Sequence, residues 1–153
     1  MKLLFVCLGN ICRSPMAEGV MRKLIAQHQL PWVVDSAGIE HYHIGERPDR
    51  RAIAQCLSHG IDISYKRARL ITPEDFKTFD FIYALSADVR DELLHFYVPS
   101  SAKIHLLLDV LYPGQNRSVP DPWYGSQRDF ALAFELIDQA CRALIKVHAD
   151  GHR

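Results

Sequence analysis

The stretch Leu3-Leu4-Phe5-Val6-Cys7-Leu8-Gly9-Asn10-Ile11-Cys12-Arg13-Ser14-Pro15 decides how the rest of the chain reads. Four apolar residues in a row suit a strand buried on both faces. Ser14-Pro15 opens a helix, because a hydroxyl serves well at the N-cap and proline's fixed φ suits the first turn. The order is strand, tight loop, helix, with Cys7 at the strand end and Arg13 six positions later. Successive N–H groups of such a loop point inward and form an anion nest. The helix start that follows adds free N–H groups and the positive end of its dipole. Arg13 adds a planar fork that can hold two oxygens of one phosphate. Cys7 stands at the base of that site, where positive surroundings favour the thiolate, the nucleophilic form of cysteine. One loop would hold both a phosphate and its attacker.

Other readings of the two loop cysteines stay open at this level. Cys7 could be a small buried hydrophobe at a strand end. Cys7 and Cys12 could ligate a metal, although zinc sites usually add a second pair to such a C-x4-C spacing, and this chain has none.

The octapeptide Cys7–Ser14, continued by Pro15-Met16-Ala17-Glu18, closely resembles the low-molecular-weight protein tyrosine phosphatases. The likeness runs on in order through Asp35-Ser36-Ala37-Gly38, His59-Gly60-Ile61-Asp62, Arg67-Ala68-Arg69 and Asp121-Pro122-Trp123-Tyr124. It implies that Cys7 is the nucleophile, that Arg13 binds phosphate and that Asp121 is the general acid. It implies a doubly wound, four-stranded parallel sheet with helices on both faces, no cofactor and no metal. It also implies that Tyr42 stands where relatives carry an aromatic over the pocket. Two positions depart from the family pattern. Lys66 stands where many relatives have a histidine, and Ser86 where they often have an aspartate. Both belong to the support of the phosphate loop.

Bulk properties bound the rest. A chain of 153 residues is expected to form one domain over its whole length, 1–153. Hydrophobic residues make up 48% and charged residues 24%, an ordinary globular balance. The net charge is zero, so no global field draws the protein to nucleic acid or to a membrane. No apolar run approaches the roughly 18 residues of a membrane span, and Met1-Lys2 leads straight into a strand without a signal-peptide core. A cytoplasmic protein is expected. Its four cysteines, Cys7, Cys12, Cys56 and Cys141, then read as thiols.

Strand and helix patterns alternate. Strands are expected at Lys2–Val6, Trp32–Ala37, Phe79–Leu85 and Ile104–Leu108. Helices are expected at Pro15–His28 and Arg50–His59, from Thr72-Pro73-Glu74-Asp75, from Ala87 to Phe96, and from Ser126 onward. The last carries an apolar stripe of Phe130, Phe134, Ile137, Cys141 and Leu144, which assigns Cys141 to the core; Cys56 is placed there likewise. Such alternation gives an α/β fold with a parallel sheet covered on both sides, and such sheets bind ligands at the carboxyl ends of their strands. The irregular stretches 38–49 and 109–125 are long enough to be functional.

The second stretch holds Val119-Pro120-Asp121-Pro122, where two prolines stiffen the backbone around an acid. A tyrosine phenolate leaves poorly near neutral pH, and a carboxylic acid aimed at its oxygen would help. Read alone, Asp-Pro is a turn. Trp123 and Tyr124 could sandwich a phenyl ring, or Trp123 could anchor the loop in the core. Leu8 and Ile11 would give apolar walls, and Gly9 fits the tight turn. Asn10 tolerates the left-handed backbone such a turn needs. Ser14 could cap the helix or donate to the Cys7 sulfur. Cys12 shares the loop with Cys7, and a reversible disulfide is sterically open; the family resemblance implies that it protects Cys7.

The expected partners are phosphotyrosine proteins, a bacterial tyrosine kinase among them, with phosphate or other oxyanions in the loop. Two alternatives remain. An arsenate reductase on this scaffold would need a resolving cysteine pair near mid-chain, and none lies between Gly60 and Ala140. A non-catalytic phosphotyrosine-binding module would have little use for both Cys7 and Asp121.

Overall fold

The computed structural model describes residues 1–96 and 102–150. At its centre lie four parallel strands: β1 (Lys2–Cys7), β2 (Val33–Gly38), β3 (Phe81–Ala84) and β4 (Ile104–Leu106). Their order in the sheet is β2-β1-β3-β4. The helices are α1 (Arg13–Gln27), α2 (Arg50–Leu57), α3 (Pro73–Thr78), α4 (Ala87–Phe96) and α5 (Gln127–Asp150).

Strand periodicity splits β1 between two cores, because alternate side chains leave opposite faces of a strand. Leu3, Phe5 and Cys7 pack with Met16, Val20 and Leu24 of α1, Cys56 of α2, and Phe130, Phe134, Ile137, Cys141 and Leu144 of α5. Leu4 and Val6 pack on the other face with Phe76, Phe79, Val89 and Leu93. Both faces are therefore covered, which is why the strand reads as unbroken apolar sequence. Leu3, Leu4 and Phe5 are fully buried, and each such side chain contributes about 1.5–3 kcal/mol. The Cys56 and Cys141 thiols are fully buried as expected, and burial pushes Cys56 up to about 12.

Several boundaries differ from the expected ones. β3 begins at Phe81 because Phe79 closes α3 and drops into the second core. β4 pairs only through Leu106; Leu107–Val110 wind into a 3-10 turn that buries Leu107 and Leu108 in the first core. An apolar run alone does not distinguish strand from short buried helix. α1 begins at Arg13, so Ser14 lies inside the first turn, and Cys12 at its N-cap position makes no side-chain capping bond.

The chain leaves β1 toward β2 on one side and returns across it to β3 on the other. Loops after β1 and β3 diverge at such a point and open a crevice at the carboxyl ends of the strands. Cys7 ends β1 there. The end of β2 closes on the loop that follows: a Cβ on Gly38 would stand 2.8 Å from Leu8 O and 3.0 Å from Gly9 C. Only glycine permits that approach. Among the described residues no helix is long and apolar enough to cross a membrane.

Candidate active site

The loop 7–14 wraps around itself through Asn10. Its φ of 58° is left-handed, a conformation asparagine tolerates. The Asn10 side chain is fully buried and uses both ends. Nδ2 donates to Ser14 Oγ at 2.8 Å and to Ser36 Oγ at 3.0 Å, while Oδ1 accepts the Arg69 N–H at 3.1 Å. Ser14 Oγ lies 2.9 Å from Cys7 Sγ. That oxygen also accepts from Asn10, which leaves its own proton free to point at the sulfur. Ser14 therefore serves Cys7 rather than the helix cap.

A second layer carries the loop. Ser36 Oγ donates to Glu18 Oε1 at 2.6 Å, and Tyr65 OH to Glu18 Oε2 at 2.5 Å. Lys66, the departure from the family pattern, is buried here. Its Nζ reaches Glu18 Oε1 at 3.1 Å, Asp35 Oδ1 at 2.7 Å and Ser36 O at 2.8 Å. Burial pushes the Asp35 carboxyl up, but the bond and charge of Lys66, the Ser36 N–H and Arg69 outweigh it and hold it low. The amine thus occupies its position with every contact satisfied. Ser86 is buried where β3 turns toward α4.

Above the loop lies an open cavity of about 220 Å³. Cys7, Leu8, Gly9, Ile11, Cys12 and Arg13 form its floor and walls. Asp121, Trp123 and Tyr124 stand across from them, with Glu40 and His43 completing the ring. The sequence-derived residues are brought together with three exceptions. Asn10 and Ser14 support the loop from beneath. Tyr42 is turned outward, 71% exposed and stacked on His41 with 4.7 Å between ring centroids. His43 takes the inner place, its ring 5.6 Å from that of Trp123 and its Nδ1 2.6 Å from Glu46 Oε2. Three aromatic or imidazole rings in a row, at 41–43, left no local cue as to which one would face inward.

Asp121 is half-exposed. Its Oδ2 lies 3.8 Å from Arg13 Nη2, and its Oδ1 accepts the Trp123 N–H at 3.1 Å. Arg13 Nη1 donates to Val119 O at 3.0 Å. Trp123 lines the cavity instead of anchoring the core. Cys12 is buried within the loop, and burial, followed by the nearby Asp49, Cys7 and Asp121, drives its thiol well above the ordinary range.

A buried cysteine on the cavity floor, an arginine beside it and an acid across from them match the order and spacing of one family. The family model described as "Low molecular weight phosphotyrosine protein phosphatase" matches residues 2–151. The chain belongs to that family. A low molecular weight phosphotyrosine protein phosphatase of Sus scrofa is 40% identical over 149 residues, covering 94% of this chain and 93% of its relative. A protein tyrosine phosphatase of Entamoeba histolytica, solved with Hepes in the active site, superposes with a TM-score of 0.93 at 39% identity, covering 100% and 99% of the two chains. The Drosophila arginine phosphatase superposes with a TM-score of 0.91 at 32% identity, covering 97% and 98%.

Sequence reading missed His43 and Glu40 in the wall, the Glu18–Tyr65 contact, and Asp49 and Arg51 behind the acid segment. A Pro48-Asp49 pair before a helix was the one available signal for the last two, and it reads first as an N-cap.

Proposed function

We propose that this chain hydrolyses phosphotyrosine through a phosphocysteine. Cys7 Sγ attacks phosphorus in line. The bond from phosphorus to the tyrosyl oxygen breaks, and Asp121 gives its proton to that oxygen as it leaves. Arg13 and the loop amides hold the three equatorial oxygens, whose charge is spread in the transition state. Asp121, now a carboxylate, takes a proton from a water that attacks the phosphocysteine. Phosphate departs and the Cys7 thiolate is restored.

The observation that carries this reading is the placement of Cys7 Sγ on the cavity floor, 2.9 Å from the Ser14 hydroxyl beneath it, with Asp121 at the mouth. The apolar Leu8, Ile11 and Trp123 suit a phenyl ring. Phosphotyrosine proteins of the cytoplasm, a bacterial tyrosine kinase among them, are the proposed substrates. The test is steady-state turnover of a phosphotyrosine peptide without reductant, beside a phosphoarginine peptide and beside arsenate with thiol. Quenched samples should carry one phosphate on Cys7 by mass spectrometry. Faster turnover of phosphoarginine would move the substrate to the class named for the Drosophila relative, and arsenate turnover would make the chain a reductase.

Cys12 is proposed to trap oxidised Cys7 as a disulfide. Peroxide inactivation of Cys12→Ser should recover poorly with dithiothreitol; recovery as full as wild type removes that role.

A further inference from the structure

A general acid must stay within a hydrogen bond of the leaving oxygen. Asp121 belongs to a segment without regular secondary structure, and its side chain is 41% exposed. The segment is held at both ends by arginines. On its N-terminal side Arg13 grips Val119 O at 3.0 Å, and the Val119 N–H donates to Leu85 O at 2.9 Å. On its C-terminal side Arg51 donates through Nη2 to Trp123 O at 3.0 Å and through Nη1 to Gly125 O at 2.8 Å. The Trp123 N–H in turn donates to Asp121 Oδ1. Trp123 is therefore fixed by its carbonyl to Arg51 and by its amide to the acid.

Arg51 is itself fixed. Its Nε and Nη2 each lie 3.0 Å from an oxygen of Asp49, a bidentate pair. Its guanidinium also lies over the Phe130 ring, 4.5 Å from the centroid. Asp49 accepts the Arg51 N–H at the start of α2, and the Asp49 N–H donates to Ile11 O at 2.8 Å. Ile11 is part of the phosphate loop. An unbroken line of contacts thus runs from the loop through Asp49, Arg51 and Trp123 to Asp121. Arg51 is absent from the cavity lining, and its nitrogens are already engaged by one carboxylate and two carbonyls.

We infer that Asp49 and Arg51 are positioning residues that tie the acid segment to the phosphate loop and set where the Asp121 carboxyl stands over Cys7. The inference rests on the general-acid reading of Asp121. A planar fork can span a carboxylate and two carbonyls at once, whereas an ammonium is a point charge with no such reach. A displacement of about 1 Å in a reacting group costs up to about 10²-fold in rate, so loosening this tie should be felt at the proton-transfer step and spare phosphate binding.

The test uses Arg51→Ala and Arg51→Lys, each alone and combined with Asp121→Asn. Single-turnover rates are measured on a phosphotyrosine peptide and on nitrophenyl phosphate, whose leaving group departs with little help. Arg51→Ala should lower the phosphotyrosine rate by about 10- to 100-fold and the nitrophenyl phosphate rate far less. Affinity for inorganic phosphate should stay close to wild type. In the Asp121→Asn background the Arg51 substitutions should add little, since residues acting through one group are not additive. Arg51→Lys should recover only part of the loss, and it carries the same comparison if Arg51→Ala does not fold.

Equal losses on both substrates, or an Arg51 effect that multiplies in full onto Asp121→Asn, would overturn the inference while leaving the Asp121 reading intact. If Asp121→Asn itself fails to discriminate the substrates, the general-acid reading falls. The tie is then judged by acrylamide quenching of Trp123 in a Trp32→Phe background, where it is the remaining one of two tryptophans. Greater quenching in Arg51→Ala upholds the tie, and unchanged quenching removes it.

Discussion

The phosphate loop and the acid segment meet over the same cavity but are built on opposite terms. In the loop, Asn10 and Ser14 are fully buried, and each polar end of Asn10 has a partner of its own. In the segment 119–125, Asp121 is half-exposed and Tyr124 is 92% exposed. Its order comes from outside, through Arg13 and Arg51. Under the proposed reaction the difference follows from the two tasks. Binding three phosphate oxygens requires amides fixed in advance, and such preorganisation is secured by burial and saturated hydrogen bonding. A group that both gives and takes a proton with water must reach solvent, so it is held by tethers at its ends.

The sharpest way to break the comparison is to remove chemistry from the loop without disturbing binding. Cys7→Ser should lower turnover about a thousandfold or more, since an un-ionised hydroxyl is a poor nucleophile and no second group substitutes for it. The amides and Arg13 remain, so vanadate or phosphate affinity should persist by titration calorimetry. Residual activity of a few per cent would unseat Cys7.

Asp121→Asn addresses the other half. The single-turnover rate on phosphotyrosine should fall by about 10²–10⁴-fold, with a smaller fall on nitrophenyl phosphate. The wild-type pH–rate profile should be bell-shaped, because Asp121 must carry its proton while Cys7 has lost its own. In Asp121→Asn the basic limb should disappear. Equal losses with that limb intact would leave Asp121 as no more than a turn residue.

Beneath the loop, Lys66→Met takes one cation from Glu18, which keeps Arg22 at 3.3 Å, and one from Asp35, which keeps Arg69 at 3.0 Å. The two acidic side chains are 2% and 36% exposed, so Glu18 bears the larger cost. Breaking a buried pair so that one charge is left alone costs about 3–5 kcal/mol; with Arg22 and Arg69 still in place, urea unfolding should register a loss below that range. Substituting Glu18 by Gln in the same background should restore part of it. A midpoint close to wild type for Lys66→Met would show that the ammonium supports nothing.

The smallest expected effect lies at the clasp and appears only in acid. Burial raises the Asp49 carboxyl, but the hydrogen bonds and charge of Arg51 outweigh it and hold it below its ordinary 3.8. The native form therefore binds its proton less readily than the unfolded chain. Its contribution to stability is complete above the unfolded value and is lost as pH falls through the lower native one. The stability gap between wild type and Asp49→Asn should be constant from about pH 7 to pH 5 and should narrow below about pH 4. A gap that widens in acid would reverse the sign and exclude the pairing.

Much of this molecule is written locally. The apolar run Leu3–Val6, the spacing from Cys7 to Arg13 and the α5 stripe are short-range patterns whose physical meaning does not depend on distant residues. They predicted the sheet, a cavity over the Cys7–Arg13 loop and the buried Cys141, and the structure has all three. The ends of β3 and β4 were misplaced because an apolar run does not say where pairing stops. At 41–43 the outcome rested on a turn that binds Ile44 N–H to His41 O and on the hold of Glu46 on His43. Neither can be read from residue type.

By itself the sequence determined which groups are present and which of them share one loop, because the five residues between strand and helix have few ways to close. Tertiary structure alone decided what faces that loop. Asp121, Lys66 and Arg51 come from parts of the chain far from the loop. Their distances from Cys7 are set by how α1, α2 and the segment before α5 pack around β1, and no local pattern encodes a packing distance.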